Sequence, residues 1–400
     1  MNLVVKKFGG SSLASVEKIE QIADRLVEEQ KKGERSLVVL SAMFGYTDSL
    51  IKMAHQIYPN YLGPAYDILL SSGEQISVAL LSLALEKRAV KNKVLLAHQA
   101  GIQTSSFFSK AEIESIDTTK LENLLKEGYL PLVAGFQGIT KDNQITTLGR
   151  GGSDLTAVAL SASLKAEVCK IYTDVTGVFT ADPRIYPSAI KIKELGFSEM
   201  MEMASLGSKV LQIRCVELAS KSKVNIQVLH SSKKEEGTWI INKKETGMEG
   251  SVVSAIAHDL NTLVIKLTNT SSEIEFHSKL FSALGRESVF IDMISQSTHK
   301  EKSSLSFSIP HTDLTQTLKV LKDFVKEEDI SIIDQAVKIS VVGVGMAQHC
   351  GVAGRFFSAL SQVKTQIYLL TTSEIKISAI IPEKNLKETV RVLHKEFFNF

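Results

Sequence analysis

"LVVKKFGGSSLASVEKIEQIADRLVEEQKKGERSLVVLSA", residues 3–42, decides the fold. A β-branched apolar run, a glycine pair, an amphipathic helical stretch and a second apolar run follow one another, which is the signature of a parallel β-α-β unit. "LVVKKF" reads as strand one. Ser11 or Ser12 is expected to cap the helix, whose positions Leu13, Val16, Ile19, Ile22, Ala23, Leu26 and Val27 keep one face. "SLVVLSA" follows as a second buried strand. Outward from this unit the same alternation continues to about residue 230. It has strand candidates at "KVLLA", "LPLVAG", "VCKIYTD" and "VNIQVL" and helices around 64–90, 118–127, 154–165 and 207–221. The expected class is α/β, a mostly parallel sheet in an αβα sandwich spanning residues 1–230.

With 400 residues, 44% of them hydrophobic, and only 7 prolines, the chain can bury two or three domain cores. Lys+Arg 46 against Asp+Glu 44 leaves +2, without long blocks of one sign, so neither a nucleic-acid nor a membrane partner is expected. Cys169, Cys215 and Cys350 show no paired spacing, which suits a reducing, cytoplasmic setting. No targeting segment is expected, nor any stretch near the ~20 apolar residues that a bilayer span needs.

Residues 231–250 are polar and turn-rich and read as a linker, with one edge strand at "GTWII". Beyond it a repeat appears. "KLFSALGRESVFIDMI" (279–294) matches "RFFSALSQVKTQIYLL" (355–370), and "SFSIP" (306–310) is echoed by "SAIIP" (378–382). Each copy reads strand, helix, strand, strand, helix, so two small α+β modules are expected at 251–335 and 336–400.

Several stretches carry possible chemistry. Strand one runs into "KFGGSS", placing Lys7, Gly9, Gly10 and Ser11 ahead of a helix; glycines there let the backbone approach an anion, and a helix start offers unpaired N–H groups. The pattern is neither a Walker A loop nor a dinucleotide fingerprint, and alone it reads more simply as a tight turn. "ITTLGRGGSDLTAVAL" (145–160) sets Arg150 among three glycines, with Ser153 and Asp154 opening the next helix. A hairpin end and an N-cap need fewer glycines, which favours an anion site; Arg150 suits a bidentate grip on a carboxylate, while Asp154 could steer a lysine or magnesium.

"IYTDVTGVFTADPRIYP" (171–187) ends a strand on Thr173 and Asp174 and enters a loop with Asp182 and Arg184. In open α/β sheets ligands sit beyond the carboxyl ends of the strands, so these loops could share a crevice, although "ADPR" also reads as a turn with a solvated ion pair. "SAMFGYTD" (41–48) puts Ser41, Thr47 and Asp48 at a strand end. "SSGEQIS" (71–77) sets Glu74 in an apolar helix, either at its solvent edge or beside a cation. Lys209 in "LGSKVL" is open to the same two readings.

Taken in order, "VVKKFGGSSL", "SAMFGYTD", "SGEQIS", "TTLGRGGSD", "YTDVTGVFTADPR" and "GSKVL" make the chain resemble the aspartate kinases. These are amino-acid kinases with appended ferredoxin-like ACT modules, and the resemblance covers essentially all 400 residues. It implies transfer of the γ-phosphate of ATP, with Mg2+, to the side-chain carboxylate of L-aspartate, on the way to lysine, threonine and methionine. By the same resemblance Lys7, Asp154 and Lys209 are catalytic. Lys7, Phe8, Gly9, Gly10, Ser41, Thr173, Asp174, Phe179, Asp182, Arg184 and Lys209 hold the nucleotide, with Phe179 where a tyrosine is usual. Thr47, Glu74, Arg150, Gly151, Gly152 and Ser153 form the amino-acid pocket, and no residue is implied as a dedicated metal ligand. Gln296, Val352, Ile367 and Ser373 match effector positions for lysine or threonine, whereas Ala353 and Gln366 replace the threonine and asparagine common there. A homodimer or higher oligomer is implied, and modules retained for dimer contacts alone are the alternative to feedback control.

The implied chemistry fits the residue inventory. A side-chain carboxylate with a pKa near ~3.9 is already a nucleophile at neutral pH and needs no general base. What it needs is alignment and charge neutralisation, which lysines and glycine-rich amides supply. A kinase for glutamate or a nucleoside monophosphate is disfavoured by the Thr47, Glu74, Arg150 set and the duplicated modules. A silent, effector-binding partner chain is disfavoured by the intact Lys7, Asp154, Asp174 and Lys209.

Overall fold

The computed structural model describes residues 3–207, 210–242, 252–299 and 302–398; Lys209 and the end of the expected linker, 243–250, lie outside them. The chain forms two compact units. One comprises Met1–Val178, Lys191–Ala204 and Lys209–Thr246, the other Phe179–Ile190, Ser205–Ser208 and Gly247–Phe400. Two short segments expected within the first domain therefore belong to the second unit.

The first unit runs β1 (Leu3–Phe8), α1 (Val16–Lys31), β2 (Arg35–Leu40), α2 (Tyr46–Ile57), α3 (Pro64–Glu86), β3 (Asn92–Leu95), β4 (Ile102–Thr104), β5 (Ile113–Ile116), α4 (Thr119–Lys126), β6 (Leu130–Ala134), β7 (Gln137–Ile139), β8 (Ile145–Thr147), α5 (Gly152–Ser163), β9 (Val168–Thr173), β10 (Glu194–Gly196), α6 (Phe197–Ser205), α7 (Ile213–Ser222), β11 (Ile226–His230) and β12 (Thr238–Ile241). Eight strands form one sheet in the order β10-β12-β11-β9-β1-β2-β6-β3, and β5-β4-β7-β8 form a smaller one. β1 pairs in parallel with both β2 and β9. The strand at "GTWII" is not an edge: β12 lies antiparallel to β11 and is covered by β10.

Successive strand residues face opposite sides of a sheet, and β1 shows the consequence. Phe8 joins Ile19, Ile22 and Leu26 of α1 and Val78, Leu81 and Leu85 of α3 in one core. On the same side, wholly buried Lys6 is paired with Glu29 at 2.5 Å and with Glu34. A buried ammonium is tolerated only with such partners. Lys7 faces the other side, towards α5. The cap of α1 is Ser15, whose hydroxyl accepts from the Lys18 N–H, because a one-turn 3-10 helix (Gly10–Leu13) intervenes after the glycine pair. That replaces the expected cap at Ser11 or Ser12.

α3 ends four residues short of the expected 64–90, yet its 23 residues would pass for a membrane span by length and composition, which no stretch was expected to do. It is instead a core helix, burying Asp67 and Glu74 along with Leu70, Leu81 and Leu85.

The second unit contains β13 (Ala255–Thr270), α8 (Ile274–Arg286), β14 (Ile294–His299), β15 (Lys302–Ile309), α9 (Leu314–Leu321), β16 (Ile330–Val342), α10 (Val352–Val363), β17 (Leu369–Thr372), β18 (Lys376–Pro382) and α11 (Leu386–Phe398). The expected strand-helix-strand-strand-helix order occurs twice, but both copies share one sheet, β14-β15-β13-β16-β18-β17. The long strands β13 and β16 are each divided between the copies. Leu263–Leu267 pairs with β15 and with Ile330–Ile333, whereas Ala255–Asp259 pairs with Lys338–Val342, and irregular register separates the halves. β18 then pairs with residues 336–342. Each module is thus a four-stranded ferredoxin-like sheet, and the second borrows its outer strand from the first half of β13. Two cores follow, one built on residues such as Ile265, Leu280 and Phe307, the other on Val337, Ile339, Phe356 and Leu393. Ala181 is part of the latter core, with Ile185, Tyr186 and Ala189 packed against it, which explains why Phe179–Ile190 belongs to this unit.

Candidate active site

The parallel strands of the first unit end around a cavity of about 720 Å³, within the range of small-ligand sites. Lys7, Gly10 and Ser41 line it from the ends of β1 and β2, Thr47 and Asp48 from α2, and Glu74 from α3. Arg150, Gly151, Gly152, Ser153 and Asp154 line it from the turn into α5, and Asp174 from the end of β9. The glycine turn after β1, the "GRGGSD" turn and the β9 end therefore share one crevice.

Lys7 Nζ stands 2.6 Å from Asp154 Oδ1, both side chains being about nine-tenths buried. At that distance the ammonium spends at most one of its protons on Asp154 and keeps two for a third group. α5 carries Asp154 in its first turn, and its tight seating requires glycines before it. Gly151 has φ of 73°, and a Cβ there would meet Gln212 Cγ at 2.0 Å; a Cβ on Gly152 would meet Phe136 and Leu148 at 2.8 and 2.9 Å.

Glu74 is 3% exposed. Its Oε1 accepts from the Ala42 N–H at 3.0 Å, while Oε2 is buried with no partner among the described residues. Burial pushes its carboxyl up to about 8, with the Ala42 amide and nearby Lys7 pulling the other way. Arg150 is exposed on the same cavity and forms no ion pair among the described residues. Two complementary groups, one anionic only on demand and one a free guanidinium, thus look into a single space.

The turn carrying Arg150 is held from behind. Asp67 of α3, wholly buried, accepts from the N–H groups of Ser109 (2.9 Å) and Thr147 (2.7 Å) and from both of their hydroxyls at 3.1 Å. Arg214 of α7 donates to the Leu148 carbonyl at 2.7 Å and to that of Ala111 at 3.2 Å. Asp67, Ser109, Lys110, Phe136 and Thr147 were not singled out from sequence, though the last four also line the cavity.

Other expected positions lie elsewhere. Phe8 is fully buried and stacked on Tyr172 at 4.6 Å, so its ring fastens β1 to β9. The Gly9 amide is spent on the Tyr172 carbonyl at 3.1 Å, which leaves Gly10 as the lining glycine of that pair. Thr173 donates to Asp174 Oδ1 at 2.9 Å without lining the cavity. Phe179, Asp182 and Arg184 belong to the second unit, where Arg184 donates through Nε to Asp182 Oδ1 and through Nη2 to Oδ2; an ion pair within "ADPR" was the plain reading of that stretch, but Asp182 is half-buried rather than fully solvated. Among the effector candidates, Gln296 is on β14, Val352 opens α10, Ile367 precedes β17 and Ser373 follows it. β14 and β17 are opposite edges of the six-stranded sheet, roughly 24 Å apart at the usual strand spacing, so one chain does not gather all four.

Among the described residues no histidine lines the cavity, and the deeply buried Cys169 and Cys215 are pushed up by burial, Cys169 to about 12, far from a reactive thiolate. A lysine-carboxylate pair, glycine-rich turns and an exposed arginine at the carboxyl edge of a parallel sheet suit a site that handles anionic groups. The amino acid kinase family model matches residues 2–230, and the ACT domain model matches 339–397. The aspartokinase of Geobacillus stearothermophilus is 43% identical over 399 residues, 99% of this chain and 97% of that protein. Among solved structures, E. coli aspartokinase III in complex with aspartate and ADP (R-state) superposes with a TM-score of 0.80 at 26% identity, covering 99% of this chain and 100% of that one. Its complex with lysine and aspartate (T-state) gives 0.79 at 26%, covering 99% of each. The chain belongs to the amino acid kinase family and, within it, to the ACT-bearing aspartokinases.

Proposed function

We propose that the protein transfers the γ-phosphoryl group of ATP to the side-chain carboxylate of L-aspartate, giving ADP and 4-phospho-L-aspartate. The observation that carries this reading is the pairing of Glu74, with its unpartnered buried oxygen, and free Arg150 around the cavity that holds Lys7–Asp154. An α-amino acid satisfies both ends at once: its ammonium supplies the cation that a buried glutamate lacks, and its α-carboxylate suits the arginine fork. The side-chain carboxylate is then left free to attack.

That carboxylate is ionised at neutral pH, so the work left to the protein is alignment and screening. Lys7, kept in place by Asp154, draws charge from the transferring phosphoryl oxygens, and Lys209 is proposed to do the same. Gly10 and Ser41 approach the nucleotide phosphates, with Thr47 and Ser153 beside the amino acid. Thr173, Asp174, Phe179, Asp182 and Arg184 remain proposed nucleotide positions. Mg2+ fits as the nucleotide's counter-ion: Asp154 and Asp174 face the cavity, whereas no group of three metal-binding side chains occurs among the described residues. Bound there it would neutralise the β- and γ-phosphates. Three unpaired cysteines suit a cytoplasmic enzyme, and a homodimer or larger assembly is proposed on the strength of the ACT modules.

Measuring ADP release with ATP and L-aspartate, L-glutamate or a nucleoside monophosphate tests the reading: aspartate alone should support turnover, and turnover with glutamate only would overturn it. Arg150→Ala should raise KM for aspartate ~10- to 100-fold, the value of a charged bidentate contact, and leave KM for ATP within about threefold. An unchanged KM for aspartate removes Arg150 from the pocket. Feedback control through the ACT modules predicts inhibition by lysine, threonine or the two together at millimolar concentration, and a flat response to all three leaves the modules a purely structural role.

A further inference from the structure

α3 carries two buried carboxylates on one stripe. Asp67 and Glu74 are seven residues apart, two helical turns, or roughly 10.5 Å along the axis. Glu74 faces the cavity and bonds the end of β2 through Ala42. Asp67 faces the base of the arm that carries Arg150. Its two oxygens receive four hydrogen bonds in matched pairs, Oδ2 from the Ser109 and Thr147 amides and Oδ1 from their hydroxyls. So many donors converge on one buried carboxylate only where its position matters to several segments, because removing it strands two backbone N–H groups out of water.

The segments it joins lead directly to Arg150. Thr147 is three residues before it, and its carbonyl accepts from Ala111 at 2.9 Å. Ser109 holds the left-handed conformation at φ 68°, costly for a serine, and its carbonyl oxygen lies 3.1 Å from where a Cβ on Gly149 would stand. The 109–111 segment therefore abuts Gly149 next to Arg150, and Asp67 ties both stretches to the helix that presents Glu74.

We propose that Asp67 is a positioning residue that fixes the Arg150 arm relative to Glu74, and so sets affinity for the amino-acid substrate without touching it. This rests on the reading of Glu74 and Arg150 as the amino-acid clamp. Asp67→Asn keeps the shape, but turns an NH2 group against one pair of donors. It should raise KM for aspartate ~10- to 100-fold, with kcat at saturating aspartate and KM for ATP within about threefold. Ser109→Ala with Thr147→Val removes only the two hydroxyl donors and keeps both amides; it should raise the same KM ~3- to 10-fold. In an Arg150→Ala background Asp67→Asn should add less than about twofold, since the arm has lost the group being positioned.

Unchanged KM for aspartate in Asp67→Asn, or a full effect that persists without Arg150, overturns the proposal. If Asp67→Asn does not fold, the Ser109/Thr147 double variant and its cycle with Arg150→Ala decide the matter on the same criteria. A parent enzyme inactive on aspartate refutes the functional reading instead, whereas an active parent with indifferent variants refutes only the role of Asp67.

Discussion

Lys7→Met should lower kcat by about 10²–10³ while leaving KM for aspartate within about threefold, the loss expected when one preorganised charge is removed from the transferring group. The asymmetry follows from where Lys7 sits. It lies at the floor of the cavity against Asp154, whereas Glu74 and Arg150 are the proposed grip on the amino acid. Its contribution therefore grows as negative charge crowds between acceptor and leaving group, and ground-state binding gains little from it. Lys7→Arg should not restore the rate: a planar fork cannot reproduce a compact ammonium 2.6 Å from Asp154 without displacing one of them. Losing Lys7 also leaves Asp154 a buried carboxylate without its cation, at a cost of ~3–5 kcal/mol. Adding Asp154→Asn should recover much of the lost melting temperature and none of the rate. Turnover of Lys7→Met equal to the parent's would remove Lys7 from the chemistry.

What could be read from the chain depended on how local the determinants were. The β1-α1-β2 unit was legible because its periodicity and glycine turn lie within one short stretch, and the "GRGGSD" turn because a left-handed position with no room for a Cβ, as at Gly151, calls for glycine. The repeat foretold two modules, since each copy keeps its own strand and helix pattern. Their sharing of β13 and β16 could not be foretold, because it resides in pairing between residues some eighty positions apart. β4, β5, β7 and β8, of three or four residues each, are too short to display a period, whereas α2 does carry an apolar stripe at helical spacing, Tyr46, Leu50, Met53 and Ile57, although none of it is buried. "FTADPRIYPSAI" has a turn's composition, yet Ala181 enters the core of the second unit and Thr180 reaches His394 at 2.9 Å. Asp67 illustrates the limit best. An acidic residue in the first turn of a helix is ordinarily accounted for by the helix dipole, and its real partners are 42 and 80 residues away.

Affinity for aspartate should rise with pH up to about 8 and then level off, because Glu74 must shed a proton to receive the substrate ammonium. Burial holds that carboxyl neutral in the ligand-free enzyme at pH 7, and the arriving ammonium supplies the charge that makes ionisation worthwhile. Below pH 8, KM for aspartate should fall up to about tenfold per unit of rising pH, with about one proton released per aspartate bound at pH 7; calorimetry in buffers of different ionisation enthalpy measures that release directly. The same group acts oppositely on folding without substrate. Its carboxyl sits above its unfolded value of 4.5, so its stabilising contribution is whole below pH 4.5, declines as pH rises, and is gone once pH passes about 8. Aspartate should therefore raise the melting temperature more at pH 8 than at pH 6. Glu74→Gln keeps the Ala42 hydrogen bond through its carbonyl oxygen but cannot ionise, so it should raise KM by ~10- to 100-fold, flatten its pH dependence and abolish proton release. A KM that stays level from pH 6 to pH 8 in the parent would mean that Glu74 does not meet the substrate's ammonium, and the clamp would have to be rebuilt around other residues of the cavity.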